Sequence, residues 1–404
     1  MNAGPFKAVL AGQALIEHPV EVATAAARRL AAEIFTADIA ITNFEGTLGS
    51  PHAWPVKMKT LHIATAEAMA SLRSLGFNAL GLANNHAFDL GQPGLEATRA
   101  GALAAGFVAA GSGENRASAA APAWVSAAGQ RAALLVFDLG PQADMVYAGE
   151  KRPGINPLRI RKQLVLPPAD VARFSAIARA CGQEERMARR VKVGYSEAAP
   201  EGSADFFGLE ICAGTEVAER YYVDPDDLAH ALAAVRKTRE TGGPLFVSMH
   251  NHHWSPDWAL APAWLQSLCA ALVEAGADAV LCHGPPVLQG MSFHRGRPVF
   301  YGMGNLVFHT ARAGRYDENG IDVWRSIIAS CEFAADGRMG LLRVHPIRVG
   351  MPADKHPGMN VLQAPELLEG KEAAEVLDRF TSLSMLAGTT VSIAGDTCTI
   401  RPAA

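Results

Sequence analysis

The strongest constraint on this chain is a repeated arrangement. An apolar run of strand length stops at a cluster of acid, amide or imidazole side chains. Asn43-Phe44-Glu45 follows residues 38–42, and Asn84-Asn85-His86 follows 77–83. His250-Asn251-His252-His253 follows 244–249, and Cys282-His283-Gly284 follows 277–281. Apolar strands need no such residues at their ends for packing. In open α/β sheets the carboxyl edge is where ligands bind. Together the clusters hold a carboxylate, carboxamides and imidazoles, donor types suited to a catalytic divalent metal. Each residue alone has a plain structural explanation: Asn84 and Asn85 as turn residues, Glu45 as a solvated carboxylate, His283 as a core histidine. Four such coincidences, each behind a strand, are hard to assign to packing alone.

Between these strands the pattern changes to helical spacing. Residues 64–75, 94–105 and 262–275 read as helices, each closed by a glycine, and 226–241 reads as another. Strands alternating with helices of this length predict an α/β sheet. Residues 142–225 read as less regular, an insertion or cap, because Lys151–Arg159 carries two prolines and a glycine that rule out a continuous helix. A basic helix is expected at 183–190. Residues 326–333 and 340–349 read as a hairpin around Asp336-Gly337. The expected organisation is one domain over 1–350 with the insertion at about 142–225. Residues 351–404 form a C-terminal extension on the same domain, with a helix near 372–386.

The 404 residues are 49% hydrophobic and 19% charged, with a net charge of −4, an ordinary soluble composition that gives no reason to expect nucleic acid or a membrane as partner. No apolar run approaches the roughly 18 residues of a membrane span. No signal peptide is visible at the start. The six cysteines are far apart and form no Cys-x-x-Cys, which argues against a disulfide framework or a thiolate zinc site. A cytoplasmic protein acting on a small-molecule or peptide-like substrate is expected, with homo-oligomerisation left open.

Several stretches resemble the CapA proteins, named for poly-γ-glutamate capsule synthesis, within the calcineurin-like metallophosphoesterase superfamily. They are Asp38–Glu45, Leu82-Ala-Asn-Asn-His-Ala-Phe-Asp-Leu-Gly91, Arg152–Arg159, Val247–His252, and the run from Gly276 through Cys282–Gly290 to Phe300–Phe308. The resemblance covers roughly residues 7–310. It implies a four-layer α/β/β/α sandwich with an inserted irregular cap, and metals at the carboxyl ends of central strands. Residue by residue, it implies Glu45 as the acid that bridges two metals and Asn85, His250 and His283 as ligands of the second metal. It implies His86 as the acid or clamp near the leaving group, and Asp89 would fix the tautomer of His86.

The chain departs from that pattern twice. Relatives carry an aspartate at the end of the first strand, where this chain has Gln13. Relatives carry a second histidine after Gly-His-x-Pro, where this chain has Pro286. Both losses fall on the same metal. The reading is a hydrolase with a single divalent ion (Mn, Zn or Fe) held by Glu45, Asn85, His250 and His283. It would act by metal-activated water, with amide, lactam or ester bonds ahead of phosphate esters. His86, Asp89 and His252 are assigned to catalysis, though His252 could also ligate metal. Arg152, Arg159, Asn43, Lys59 and Trp254 are assigned to substrate. Two alternatives stand beside it: a phosphoesterase whose first metal site is rebuilt by Glu17, His18 or His252, and a non-catalytic accessory of polymer synthesis.

Overall fold

A computed structural model describes residues 5–58, 60–127, 129–141, 144–334, 338–351 and 362–400. The chain separates into two compact units, one of Met1–Leu158 with Asp226–Ala404, the other of Arg159–Pro225.

The first unit is built on two large sheets. One runs in the order Ser392–Ala394, Thr397–Ile400, Met339–Arg348, Arg325–Phe333, Phe6–Leu15, Ile39–Phe44, Ala79–Gly81 and Val108–Ala110, with Asn305–Phe308 also on Phe6–Leu15. Its last four strands are parallel, as helical crossovers require. The second sheet runs Met291–His294, Arg297–Phe300, Ala279–His283, Leu245–His250, Gln130–Asp138 and Ala123–Ala127, and its four inner strands are parallel. The inner strands are buried along their whole length, which is why they read as continuous apolar runs.

Alternation decides which layer each side chain enters. Leu10, Ile39 and Ile41 from the first sheet and Leu134, Val136, Phe246 and Leu281 from the second form one core between the sheets. Phe246 and Phe333 meet there edge to face at 5.4 Å. The opposite face of the first sheet, with Val9, Ala40 and Leu80, packs on Leu30 and Ile34 of Ala25–Phe35 and on Met69 and Leu72 of Ala66–Ser74. Helix Ala263–Ala275 buries Leu265, Leu268, Cys269 and Leu272, with Cys269 Sγ 3.8 Å from Cys282 Sγ of the second sheet. Each such side chain contributes roughly 1.5–3 kcal/mol by leaving water. The result is the expected α/β/β/α layering.

Local signals set the helix starts. Thr24 and Thr65 accept from the backbone of Ala27 and Ala68 and cap the first two helices. The residues before Thr24 include the short strand Val20–Glu21. The helix expected from residue 94 begins earlier, at Gly91, with Pro93 in its first turn. The hairpin strands are Arg325–Phe333 and Met339–Arg348. Its expected turn, Asp336-Gly337, lies outside the described residues. Helix Gly370–Leu386 and the last two strands belong to the first unit.

The second unit corrects the expectation of an irregular insertion. It carries a four-stranded sheet, Ser203–Phe206, Leu209–Ala213, Ile160–Leu166 and Ala218–Val223, with helices Pro168–Ala180 and Gln183–Lys192. Its strands escaped reading because they are charged. Arg161 pairs with Asp224 at 2.8 Å, and Lys162 pairs with Glu219. Residues 144–158 belong to the first unit.

Candidate metal centre

Two rows of polar residues cross the carboxyl ends of the parallel strands. In the first sheet Asn305, Gln13 and Asn43 are neighbours in register. In the second sheet the row is Asp138, His250 and His283. All six residues are buried. The rows meet across the gap between sheets. Asn43 Nδ2 lies 3.3 Å from His250 Nδ1, and Gln13 Oε1 accepts from Gly284 N at 2.6 Å. Two glycines permit this approach. A Cβ on Gly12 would stand 2.1 Å from the carbonyl oxygen of Gly304, and one on Gly284, at φ +118°, would stand 1.9 Å from that of Asn251.

The donor atoms that converge here suit a cation. Glu45, His250 and His252 offer ligand atoms that all lie within 4.8 Å of one another. His250 Nε2 is 3.0 Å from His252 Nε2 and 3.7 Å from Glu45 Oε1. Glu45 Oε2, Asn85 Oδ1 and both ring nitrogens of His283 are buried with no hydrogen-bond partner among the described residues. Unpartnered buried polar atoms of this kind cost about 1–3 kcal/mol each unless a ligand satisfies them. Burial lowers His283 to about 3 and holds His250 well below the ordinary imidazole range, so both rings are neutral and keep a lone pair. Burial raises the Glu45 carboxyl to about 8, helped by the charges of Asp89 and Asp138 and opposed by Lys57. A cation is what returns such a carboxyl to its ionised form. A half-turn of the Asn43 amide brings its unpartnered Oδ1 to His250 Nδ1, which holds the Nε2 lone pair toward Glu45 and His252.

Beside these residues stands a buried acid–base set. His86 Nδ1 is 2.7 Å from Asp89 Oδ2, and Lys57 Nζ is 2.7 Å from Asp89 Oδ1 with both of those side chains out of water. Lys57 Nζ also donates to the backbone oxygen of Asn85. Burial alone would raise Asp89, but the hydrogen bond and charge of His86 and the charge of Lys57 outweigh it and keep it below the usual range. Burial lowers His86 to about 4, so its ring is neutral with Nδ1–H on Asp89 and a free lone pair at Nε2. Asn84 is structural, donating to the Phe44 oxygen at 2.7 Å and accepting from His86 N at 3.0 Å.

A cavity of about 280 Å³ opens over this centre, lined by Glu45, Asn85, His86, His252 and Trp254 among others. Trp254 stacks on His252 at 5.0 Å and meets Trp258 edge to face at 4.8 Å. A larger cavity of about 770 Å³ lies within the second unit, but its lining contains no histidine and none of the ligand-type residues gathered here. The chemistry selects the smaller one.

The remaining sequence assignments fall elsewhere. Asn43 faces His250 rather than the cavity. Arg152 is exposed, donates to the Tyr147 oxygen at 3.1 Å and does not line the cavity. Arg159 belongs to the second unit, 3.7 Å from Asp224. Lys59 lies outside the described residues. The strand Leu245–His250 stops at His250, yet His252 still converges on it because His252 N donates to the Gly140 oxygen at 2.9 Å. His253 is buried with Nε2 3.2 Å from the Leu139 oxygen. Glu17 and His62 pair with each other at 2.8 Å.

Asp138 and Arg312 are the residues a reading of the sequence left out of the site, while Lys57, weighed only as a loop contact for an anionic substrate, pairs instead with Asp89. Asp138 follows the apolar run 131–137 as Asn43 follows 38–42, so the same rule would have found it. Its Oδ2 accepts from the Tyr147 hydroxyl at 2.9 Å and from Gly140 N at 3.0 Å, and burial raises it to about 7. Lys57 had only its loop position to recommend it.

The sequence profile described as bacterial capsule synthesis protein PGA_cap matches residues 7–310. The chain is 27% identical over 381 residues to the uncharacterized protein y4sH of Sinorhizobium fredii (strain NBRC 101917 / NGR234), covering 82% of this chain and 78% of that one. It is 31% identical over 108 residues to the capsule biosynthesis protein CapA of Bacillus anthracis, 26% of each chain. Among solved structures, a hypothetical protein from Thermus thermophilus aligns at 11% identity with a TM-score of 0.39, over 84% of this chain and 98% of that one. The Haemophilus influenzae NAD nucleotidase (NadN) aligns at 12% identity with a TM-score of 0.37, over 95% and 56%. No helix among the described residues is long and apolar enough to cross a membrane. With three quarters of its length in that profile, the chain belongs to the bacterial capsule synthesis protein family PGA_cap.

Proposed function

We propose that this protein is a metal-dependent hydrolase working with one divalent ion, Mn, Zn or Fe, on a small or peptide-like substrate. Amide, lactam or ester bonds stand ahead of phosphate esters. The observation that carries this reading is the convergence of unpartnered donor atoms. Glu45 and Asn85 present such atoms on the cavity beside the His250–His252 pair, while His283, outside the group of Glu45, His250 and His252 that converges within 4.8 Å, adjoins His250 in register with both ring nitrogens unpartnered among the described residues. The ligands would be Glu45, Asn85, His250 and His283, with His252 completing the set. A divalent ion there supplies Lewis acidity, lowering the pKa of water and polarising a carbonyl or phosphoryl oxygen.

The chain's own residues supply the rest. Asp89, held ionised by Lys57, keeps the proton of His86 on Nδ1. His86 Nε2 is then free to take a proton from the attacking water and hand it to the departing amine or alcohol. Gln13 supports the single-ion reading, because its Oε1 is already bonded to Gly284 N and its Nε2 reaches the Asn305 oxygen at 3.2 Å. Pro286 has no side-chain donor. A second ion would lack two of its ligands, and with it half of the clamp that in-line phosphoryl transfer uses.

Metal counting on purified protein, followed by a screen across amides, lactones, esters and phosphate esters, tests the proposal. One ion per chain is expected, with hydrolysis of a carbonyl substrate that His86→Ala loses while keeping its metal. Two tightly bound ions, or turnover of phosphate esters alone, overturns it in favour of a phosphoesterase. Full metal content in His250→Ala and Asn85→Ala would show the site itself to be misplaced.

A further inference from the structure

We propose that the cavity selects a small molecule carrying a carboxylate, and that Arg312 is the residue that binds it. This rests on the reading of the same cavity as a hydrolase site and names its substrate class. Arg312 lines the cavity together with Thr60, and its Nη2 donates to Thr60 Oγ1 at 2.7 Å. Its guanidinium forms no ion pair with any described residue. Some arginines of the first unit are committed, Arg239 and Arg297 to Asp278, Arg325 to Asp322 and Glu375, Arg348 to Glu366 and Glu372, and Arg312 differs from the other unpaired ones in lining this cavity. A guanidinium has five N–H donors, and the threonine takes one. The fork left over matches a carboxylate in two parallel hydrogen bonds.

The surroundings favour an anion. Among the described residues Glu45 is the only acid in the cavity lining, beside the proposed ion. Once that carboxylate is neutralised by a divalent cation, the lining is net positive. The walls also carry the rings of Trp254, Phe308 and Tyr316, with Phe308 and Tyr316 5.6 Å apart. A volume of about 280 Å³ sits at the small end of ligand sites and suits a compact molecule rather than a length of polymer. Arg312 lies two residues beyond the end of the family profile at 310.

Hippurate and hippuramide test this, because they share a benzoyl ring and an amide and differ in the carboxylate. Binding of each to the metal-loaded protein is measured by calorimetry, for wild type, Arg312→Met and Arg312→Lys, with metal content and melting temperature recorded alongside. Wild type is expected to bind hippurate roughly tenfold or more tighter than hippuramide, the scale of a charge-assisted bidentate contact. Arg312→Met erases that preference and leaves hippuramide binding and metal content unchanged, and Arg312→Lys restores part of it. Equal binding of the two probes by wild type, a preference that survives in Arg312→Met, or binding of neither probe overturns the proposal. Phenyl phosphate is the control arm: tighter binding than hippurate, lost in Arg312→Met, replaces the carboxylate with a phosphate. Loss of metal from wild type with an intact Arg312-dependent preference would sink the hydrolase reading and leave the anion site standing.

Discussion

The two polar rows sit at equivalent strand ends, one on each sheet, and Gln13 and Asn305 of the first behave in the opposite way to His283 of the second. Gln13 and Asn305 of the first row satisfy each other and the neighbouring backbone: Gln13 bonds to Gly284 and Asn305, and Asn305 Nδ2 donates to the oxygens of Pro286 at 3.0 Å and Val323 at 3.2 Å. In the second row Asp138 Oδ1 and both nitrogens of His283 are buried without a partner among the described residues. A satisfied buried network ties chain segments together. An unsatisfied one costs stability and is kept where something binds. Gln13 and Asn305 are scaffold, while His250 and His283 of the second row, with Glu45 and Asn85, are the proposed ligands.

Glu45→Gln probes the ligand side and has the largest expected effect. Metal affinity should fall by more than the roughly 10–100-fold typical of outer-shell changes. Stability of the metal-free protein should not fall, since a buried carboxyl that burial raises to about 8 is replaced by a neutral amide. Metal analysis after dialysis and a denaturant midpoint check both halves, and a metal-free variant much less stable than wild type would break the contrast. Next comes Lys57→Met, which strands the Asp89 carboxylate in a dry site. Breaking one side of a buried pair costs about 3–5 kcal/mol, and Lys57→Met with Asp89→Asn should recover much of it. Denaturant midpoints of the two variants provide the comparison.

His309 follows the strand that carries Asn305, and it gives the contrast a pH signature. Its Nδ1 accepts from the backbone of Glu17 at 3.2 Å and of His18 at 3.5 Å, which a protonated ring cannot do. Burial lowers the ring from 6.5 to about 4. The unfolded ring therefore takes up its proton first as pH falls. The stability it contributes is full above pH 6.5 and is lost as pH drops toward 4, by at most about 3 kcal/mol at 1.36 kcal/mol per unit. His309→Gln should flatten that part of the stability–pH curve, and an unchanged curve would remove His309 from the scaffold. The smallest effect is expected from Gln13→Leu. It leaves Gly284 N without its acceptor and costs about 1–3 kcal/mol. Its metal content should match wild type, and loss of metal there would return Gln13 to the ligands.

Much of the layout was legible from residue order because the inner strands are buried on both faces and end abruptly in polar residues. The contrast of 277–281 with His283, or of 38–42 with Asn43, needs no structure to see. The second unit's sheet was not legible, since strands such as Ile160–Leu166 carry arginine and lysine side by side, one on each face, and compensate them with acids distant in sequence. The partner of Lys57 was hidden for a related reason. A lysine in a loop reads as solvated, and only the fold brings Asp89 against it and removes water from both.

The sequence by itself determined which strands end in ligand-type residues and which two positions, Gln13 and Pro286, depart from the related pattern, because donor chemistry is written in residue type. Only the tertiary structure decided how those residues divide. Register places Gln13 beside Asn305 and His250 beside His283, the meeting of two sheets turns Gln13 toward Gly284, and the bond from His252 N to the Gly140 oxygen holds His252 toward His250. Whether a polar side chain is satisfied by its neighbours or left open to a ligand depends on distances between segments hundreds of residues apart, and no local pattern carries that information.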